Sequence, residues 1–356
     1  MGDPVRVLVV DDSSFMRKAL SGLLSSDPEI QVVGTAPDGR FVLRKLEQLQ
    51  PDVVTLDIEM PGMDGITTLS KIMCDHPVPV LMVSSLTQEG AAVTLNALSL
   101  GAVDFVPKPS GQISLDIENA RAEIIAKVKA AAKADLKNLA KGRIRVAAQA
   151  PEIAAAAAER PAAQARPVGP VARIVAIGVS TGGPQTLMGI LPQLPANLAA
   201  PVMIVQHMPE GFTRTFAERL DQACMLAVKE AEDGDALGNG RAYLAPGGSH
   251  MTVTRGRTIR ISKEPYDTLH KPSVDVMMES VINVFGASAI GVLLTGMGKD
   301  GAESMVKLRR RGGHTIAESA QTAIVYGMPR EAVELGGAEF VLPADRVAEQ
   351  LVALVD

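Results

Sequence analysis

The chain has 356 residues, of which 47 % are apolar and 21 % charged, and its formal net charge is −5. A chain of this length and composition is expected to form two globular domains rather than a disordered segment. The small acidic excess argues against binding to duplex nucleic acid, because such proteins usually carry a strong basic excess. Two cysteines, Cys74 and Cys224, cannot form a disulfide framework, which fits a cytoplasmic protein. No apolar run reaches the roughly 18 residues that cross a bilayer, so neither membrane insertion nor secretion is expected.

The first part of the chain alternates short β-forming runs with helical stretches. Helical periodicity predicts helices at Ser14–Leu24 and Phe41–Leu49. The predicted buried strands are Val5–Val10, Gln31–Gly34, Val53–Leu56, Val78–Val83 and Ala102–Val106. Five strands alternating with helices imply a doubly wound parallel sheet covered on both faces.

Polar side chains follow several of these strands. Asp11 and Asp12 come after the first strand, Asp57 after the third, Ser84 after the fourth and Lys108 after the fifth. Because the carboxyl ends of parallel strands meet at one edge of the sheet, we expect these residues to lie close together. Three carboxylates there would repel one another, and a hard divalent cation with oxygen ligands would relieve that repulsion. A cation and a lysine could together neutralise a phosphoryl group carried on one carboxylate.

Residues 1 to about 125 resemble the receiver domain of response regulators, on these aspartates and the motifs TLDIEMPGMDG, MVSS and DFVPKP. The resemblance implies a flavodoxin-like fold in which Asp57 accepts a phosphoryl group from a histidine kinase. It also implies that Mg²⁺ binds to Asp11, Asp12, Asp57 and the backbone carbonyl of Glu59. By the same resemblance, Ser84 and Lys108 contact the phosphoryl group and Phe105 is the aromatic residue that changes rotamer. The family often has tyrosine at this last position.

An alanine-rich segment separates the two halves of the chain. Eleven of the twenty residues from 147 to 166 are alanine, and the segment has almost nothing to bury. The blocks on either side are net acidic, whereas residues 141–170 are net basic. We therefore expect three parts: a first domain over residues 1–125, a helical and then Ala/Pro-rich flexible linker over 126–170, and a second domain over 171–356.

The second domain repeats the alternating pattern, with predicted strands at Ile174–Ile177, Val202–Val205, Arg241–Leu244 and Ile290–Leu294. It is therefore expected to be a second doubly wound α/β domain, of Rossmann-like type. Ligands of such sheets bind beyond the carboxyl ends of the strands, so chemistry is expected where these strands end.

Three strand ends in this domain carry residue types suited to acyl transfer. Ser180 follows the first strand in a G-x-S-x-G segment, where glycines permit a tight turn into a helix. A serine nucleophile needs a base, and the candidates are His207, which directly follows a strand, and His250, which follows through a loop. Asp300 lies after the strand Ile290–Leu294 and could orient the base. The order Ser, His, Asp differs from that of α/β hydrolases, so the resemblance to their nucleophile turn is interpreted as convergent.

Nearly the whole chain apart from the linker resembles the chemotaxis protein-glutamate methylesterases, on the segments GVSTGGP, VQHMP, LAPGGSH, LLTGMGKDG and AIVYGMPREAV. The resemblance implies that Ser180 is the nucleophile, His207 the general base and acid, and Asp300 the orienting carboxylate. It implies an oxyanion hole formed by the backbone N–H groups of Met297 and Thr181. Methyl-accepting chemoreceptors would be the substrates, with deamidation of receptor glutamines as a further activity. The esterase chemistry would need no cofactor.

Two other classes of protein are compatible with a receiver domain. A DNA-binding output domain is disfavoured by the acidic charge of residues 171–356 and by the absence of a helix-turn-helix pattern from their sequence. A receptor-binding adaptor that has lost catalysis is disfavoured because Ser180, His207 and Asp300 are all present. Labelling by a fluorophosphonate would separate the enzyme from the adaptor.

Overall fold

The computed structural model describes residues 3–85, 87–108, 115–144 and 170–355. The chain forms two compact units, Met1–Arg143 and Ile144–Asp356. The alanine-rich segment 147–166, predicted to be a linker, lies outside the described residues, and the predicted domain boundaries stay predictions. Within the described residues, no helix combines the length and the apolar character needed to cross a membrane.

The first unit is a five-stranded parallel sheet with strand order β2-β1-β3-β4-β5. The central strands are completely buried because helices cover the sheet, which explains their continuous apolar sequence. The elements are β1 (Val5–Val10), α1 (Ser14–Leu24), β2 (Ile30–Ala36), α2 (Gly39–Leu49), β3 (Val53–Asp57), α3 (Gly65–Asp75), β4 (Val80–Ser84), α4 (Gln88–Leu100), β5 (Asp104–Pro107), α5 (Leu115–Ala131) and α6 (residues 136–144).

The second unit is built on a seven-stranded parallel sheet with strand order β14-β13-β12-β6-β7-β9-β8. A separate antiparallel hairpin, β10-β11, packs against α9. The elements are β6 (Ile174–Val179), α7 (Gly183–Ile190), β7 (Val202–Gln206), α8 (Phe212–Ala223), β8 (Ala227–Glu230), β9 (Arg241–Leu244), β10 (His250–Val253), β11 (Ile259–Ser262), α9 (Val274–Phe285), β12 (Ala289–Leu293), α10 (Ala302–Arg310), β13 (His314–Glu318), α11 (Met328–Glu334), β14 (Phe340–Leu342) and α12 (Ala344–Val355).

The predicted fold class is confirmed in both units. Of the second sheet, the sequence predicted the four strands that became β6, β7, β9 and β12. It gave no range for the other three, β8, β13 and β14. Of these, β13 is largely buried, whereas β8 and β14 are short strands at the sheet edges and only partly buried. In the first sheet, β4 and β5 each begin two residues later than predicted.

Strand order determines where the second unit can bind a ligand. From β6 the chain passes to β7, then to β8 at the sheet edge and back to β9 between them, and later crosses over to place β12 on the other side of β6. This reversal is a topological switch point, where a crevice opens at the carboxyl ends of the strands. Ser180, His207 and Asp300 follow β6, β7 and β12, so all three belong to this edge of the sheet.

Candidate functional site

The first unit gathers three carboxylates at the carboxyl edge of its sheet. Ligand oxygens of Asp11, Asp12 and Asp57 lie within 4.8 Å of one another. Asp11 and Asp57 are buried and Asp12 is exposed. One oxygen of Asp11, Oδ2, is buried without a hydrogen-bond partner in the described part of the chain. A small oxygen-only site with an unsatisfied oxygen suits a hard divalent cation such as Mg²⁺.

Burial dominates the electrostatics of these aspartates. It raises the pKa of Asp57 to about 6, and the neighbouring Asp11 contributes to the rise, whereas the hydrogen bond from Lys108 opposes it. Burial likewise raises the pKa of Asp11. Lys108 reaches over the cluster and donates from Nζ to Asp57 Oδ2 at 2.8 Å. Lys108 and Arg17, whose guanidinium donates to the carbonyls of Asp11 and Asp12, offset only part of the negative charge, and a metal ion would neutralise more of it.

Glu59 and Ser84, which were also predicted for this site, differ in their hydrogen bonds: Glu59 contacts Asp57, and Ser84 does not contact the carboxylates in the described residues. The backbone N–H of Glu59 donates to Asp57 Oδ1 at 3.2 Å, beside the cluster. The Ser84 hydroxyl instead donates to the carbonyl of Ser85 at 3.2 Å and accepts from Thr94 Oγ1 at 2.7 Å. In this conformation the Ser84 hydroxyl is therefore hydrogen-bonded to its neighbour Ser85 and to Thr94 on α4.

The Phe105 ring is buried, with only 1 % of its surface exposed. The ammonium of Lys127, on α5, lies 5.0 Å from the ring centroid. This lysine also donates to Asp104 Oδ1 at 3.1 Å and to the carbonyl of Phe105 at 2.8 Å. A buried cation therefore holds the aromatic residue inward, a contact that the sequence did not indicate.

In the second unit, Ser180 occupies a tight turn between β6 and α7. Its N–H donates to the carbonyl of Thr295 at 3.0 Å, which ties the turn to the end of β12. Gly182 has a φ of 80°, and a Cβ at Gly183 would lie 2.0 Å from Gln206 Oε1. Gly182 is therefore required because its φ is positive, and Gly183 is required because no space is left for a Cβ.

Strand register places His207 beside Ser180. The parallel pairing of β6 with β7 sets Val179 opposite Gln206, so Ser180 and His207 are the next residues on neighbouring strands. The His207 N–H donates to the carbonyl of Val179 at 3.1 Å. The Gln206 side chain donates from Nε2 to the carbonyls of both Ser180 and His207, each at 3.0 Å. This amide, which sequence reasoning missed, fixes the two chain segments relative to each other.

His207 and Asp300 form a hydrogen-bonded pair. His207 Nε2 lies 2.8 Å from Asp300 Oδ2, and both side chains are mostly buried. His207 Nδ1 is buried and has no hydrogen-bond partner within the described residues. A proton shared with the carboxylate therefore resides on Nε2, and Nδ1 presents the lone pair that can accept another.

Asp300 is held by the amino end of α9 as well as by His207. Its Oδ1 accepts from Ser273 Oγ at 3.0 Å and from Asp275 N at 2.9 Å, while Oδ2 accepts from Val274 N at 2.7 Å. Burial alone would raise the pKa of Asp300, but the hydrogen bonds from His207 and from these amides lower it overall. The carboxylate is thus kept ionised and fixed. The serine that begins α9 could be recognised from sequence as a helix cap, but its contact with Asp300 could not.

A buried network supports the loop that contains Met297. Thr295 Oγ1 donates to the carbonyl of Thr181 at 2.9 Å, and Thr295 N donates to Glu318 Oε2 at 2.8 Å. The carbonyl of Gly296 accepts from Met328 N at 2.8 Å, which fixes the peptide before Met297. In the described part of the chain, the Met297 N–H has no hydrogen-bond acceptor. A fixed and unused N–H at a strand end is suited to binding a developing oxyanion.

His250, the alternative base, is occupied by structural contacts. It is completely buried, its Nδ1 accepts from Ser273 N at 3.2 Å, and its Nε2 lies 3.2 Å from the carbonyl of Pro265. Burial lowers the pKa of His250. A further histidine that the sequence did not select lies at the site: the ring of His270 stacks on that of His207, with centroids 4.1 Å apart. These contacts favour His207 over His250 as the base.

Comparisons with known proteins agree in both halves of the chain. The family model described as CheB methylesterase matches residues 175–351, and the response regulator receiver domain model matches residues 7–117. A Symbiobacterium thermophilum protein named protein-glutamate methylesterase/protein-glutamine glutaminase is 52 % identical over 99 % of this chain and 97 % of its own length. A Pyrococcus abyssi protein of the same name is 47 % identical over 100 % of this chain and 95 % of its own length.

Among solved structures, the chain is similar to the CheB methylesterase catalytic domain of Thermotoga maritima. The two are 43 % identical with a TM-score of 0.50, and the match covers 51 % of this chain and 98 % of that domain. Of the two cysteines, Cys74 is exposed and Cys224 is buried. Full-length matches at 47 % and 52 % identity, together with the two family models, show that the chain belongs to the CheB methylesterase family of receiver-containing proteins.

Proposed function

We propose that this protein removes methyl esters from glutamate side chains of chemoreceptors and also deamidates receptor glutamines. The observation that carries the proposal is the convergence of Ser180, His207 and Asp300 on neighbouring strand ends, with His207 hydrogen-bonded to Asp300. The names of the full-length relatives support the choice of substrate. Removal of receptor methyl groups would serve adaptation in chemotaxis. A cytoplasmic location stays a prediction from the sequence.

The reaction follows from the state of His207. Ser180 Oγ attacks the ester carbonyl while His207 Nδ1 takes the hydroxyl proton, and Asp300 stabilises the imidazolium that forms. The N–H groups of Met297 and Thr181 bind the oxyanion of the tetrahedral intermediate. As the intermediate collapses, the C–O bond to the methoxy group breaks and that oxygen receives the proton, which releases methanol.

Hydrolysis of the acyl-enzyme repeats the steps with water. His207 takes a proton from water, the hydroxide oxygen bonds to the acyl carbon, and Ser180 leaves with the proton returned from imidazolium. The product is a glutamate carboxylate. A glutamine substrate passes through the same acyl-enzyme and releases ammonia instead of methanol, which accounts for both proposed activities.

Regulation is proposed to act through Asp57, phosphorylated by a histidine kinase of the pathway. Asp11, Asp12 and Asp57, with the carbonyl of Glu59, would hold Mg²⁺, which supplies neutralisation of the phosphoryl charge when bound. Asp57 Oδ1 or Oδ2 provides the nucleophile, and Lys108 already donates to that carboxylate.

The switch residues would respond to the new group. Ser84 would redirect to a phosphoryl oxygen the hydroxyl proton that it donates to the Ser85 carbonyl in this structure, and Phe105, packed here against Lys127, would change rotamer. This rearrangement is proposed to raise the esterase rate.

The test measures methanol release from methylated receptor membranes, with and without acetyl phosphate and Mg²⁺. We expect release from the wild type that rises with the phosphodonor, none from Ser180→Ala, and basal release without stimulation from Asp57→Asn. A fluorophosphonate should label the wild type but not Ser180→Ala. Wild-type protein that neither releases methanol nor takes up the label would refute the esterase and favour a receptor-binding adaptor.

A further inference from the structure

The loop of residues 263–272, between β11 and α9, exposes apolar side chains next to the proposed catalytic histidine. Leu269 is 87 % exposed, the highest fraction among the large apolar side chains that the structure describes, and Tyr266 is 68 % exposed. An isolated exposed leucine needs no explanation, but two such side chains on one short loop beside a site suggest contact with another molecule.

The loop is braced rather than loose. Buried His250 holds it through Nε2, which lies 3.2 Å from the Pro265 carbonyl and 3.1 Å from Thr268 Oγ1. Lys271 Nζ donates to the Tyr266 carbonyl at 3.0 Å and lies 5.2 Å from the centroid of the Tyr266 ring. These contacts hold the loop backbone and the Tyr266 ring in place before any partner binds, which reduces the entropy lost on association.

The same loop contacts the proposed catalytic machinery. His270 stacks on His207 at a centroid distance of 4.1 Å, with 21° between the rings. Leu269 precedes His270 directly, so its Cα lies about 3.8 Å from that of His270. A protein substrate whose carbonyl group reacts at Ser180 and His207 therefore brings its neighbouring residues toward this loop.

We propose that Leu269 and Tyr266 form a docking edge for the receptor helix that carries the modified glutamate, and this inference rests on the proposed function. A glutamyl side chain extends from its helix, and apolar residues three or four positions away lie about 5–6 Å from it on the same face. Such neighbours would reach the exposed loop while the ester lies at Ser180. The edge selects a protein helix with apolar residues beside the ester, rather than a small free ester.

The test compares Leu269→Asp with Leu269→Met and with Leu335→Asp in the full-length protein. Leu335 is 51 % exposed and follows α11, so it controls for a charge added at an exposed leucine elsewhere in the unit. Methanol release is measured over a range of methylated receptor concentrations, with and without acetyl phosphate. We expect Leu269→Asp to raise KM about tenfold with kcat within twofold, since a fully buried leucine contributes that much or more to affinity. The other two variants should match the wild type.

Three results would overturn the proposal. Unchanged KM in Leu269→Asp would exclude a substrate contact, provided that its melting temperature equals that of the wild type. A lower kcat at unchanged KM would assign Leu269 to support of His207 instead. A higher rate without acetyl phosphate would assign the loop to contact with the receiver of this chain. If the wild type itself releases no methanol, the proposed function fails, and that outcome is distinct from all three.

Discussion

Replacing Asp300 by asparagine tests both the chemistry and the architecture of the second unit. The carboxylate accepts hydrogen bonds from His207 Nε2, Ser273 Oγ and two amides at the start of α9. An asparagine has one acceptor oxygen, so its NH₂ must face at least one buried N–H. Each buried donor left without an acceptor costs about 1–3 kcal/mol, and loss of a negative charge at a helix amino end costs about 0.3–1 kcal/mol. We expect the free energy of unfolding to fall by about 2–4 kcal/mol.

The catalytic loss in Asp300→Asn should be larger than the loss of stability suggests. Without the carboxylate, the proton on His207 is no longer held at Nε2 and the imidazolium is no longer stabilised. By the general behaviour of such triads, we expect kcat for methanol release to fall about 10³–10⁴-fold. Urea unfolding is followed by far-UV circular dichroism, because the chain contains no tryptophan. A variant within tenfold of wild-type kcat would refute the assignment of Asp300.

Ser273→Ala serves as the matched control for Asp300→Asn. It removes one bond to the same carboxylate and the cap of α9, where Ser273 Oγ accepts from Val276 N, but leaves the His207–Asp300 pair. We expect a loss of about 1–2 kcal/mol in stability with kcat within about fivefold. Similar catalytic losses in both variants would mean that the helix start, rather than the carboxylate, controls the rate.

The stability difference between wild type and Asp300→Asn should depend on pH in a defined direction. Burial opposes ionisation of Asp300, but its hydrogen bonds lower the pKa below that of the unfolded chain. Such a group stabilises the fold fully above the unfolded value near 4, and the contribution is lost as the pH falls toward the folded value. The difference should therefore be constant from about pH 6 to 8 and shrink below about pH 4. A difference that stays constant as the pH falls below about 4 would contradict a lowered pKa.

Three further predictions concern other buried groups. Because burial lowers the pKa of His250, its contribution to stability should diminish as the pH falls below about 6.5, and His250→Gln should unfold with a weaker pH dependence between pH 7.5 and 5.5. Lys127→Met leaves Asp104 buried without its cation and should destabilise the first unit by about 3 kcal/mol in urea unfolding; no change would mean that the pair contributes nothing. Asp57→Asn should bind Mg²⁺ at least tenfold more weakly by titration calorimetry, and equal affinity would exclude this carboxylate from the site.

Much of both sites could be predicted from sequence because of one property of parallel sheets. Every strand of such a sheet ends at the same edge, so a polar residue directly after a buried strand is placed with its counterparts whatever the strand order. This reasoning brought Asp11, Asp57 and Lys108 together in the first unit, as the structure shows. It also assigned Ser180 and His207 to one edge, where strand register makes them neighbours.

Sequence patterns did not reveal contacts made by residues from elements far apart in the chain. Gln206 points its amide at two backbone carbonyls, and nothing in its own neighbourhood of the sequence distinguishes it from a surface glutamine. The edge strands β8 and β14 were missed because partial burial gives them no continuous apolar pattern. These two segments are strands because each pairs with a neighbouring strand of the sheet, β8 with β9 and β14 with β13.

The sequence by itself determined the two alternating α/β folds and the residues available at each sheet edge, because burial imposes a local period on the chain. The sequence favoured His207 over His250 because His207 directly follows a strand, but only the tertiary structure shows the contacts of each ring. His250 is used by Ser273 and Pro265, whereas His207 meets Asp300 and retains an unpartnered Nδ1 within the described residues. The difference lies in which groups approach each ring from distant parts of the chain, and local sequence does not encode that.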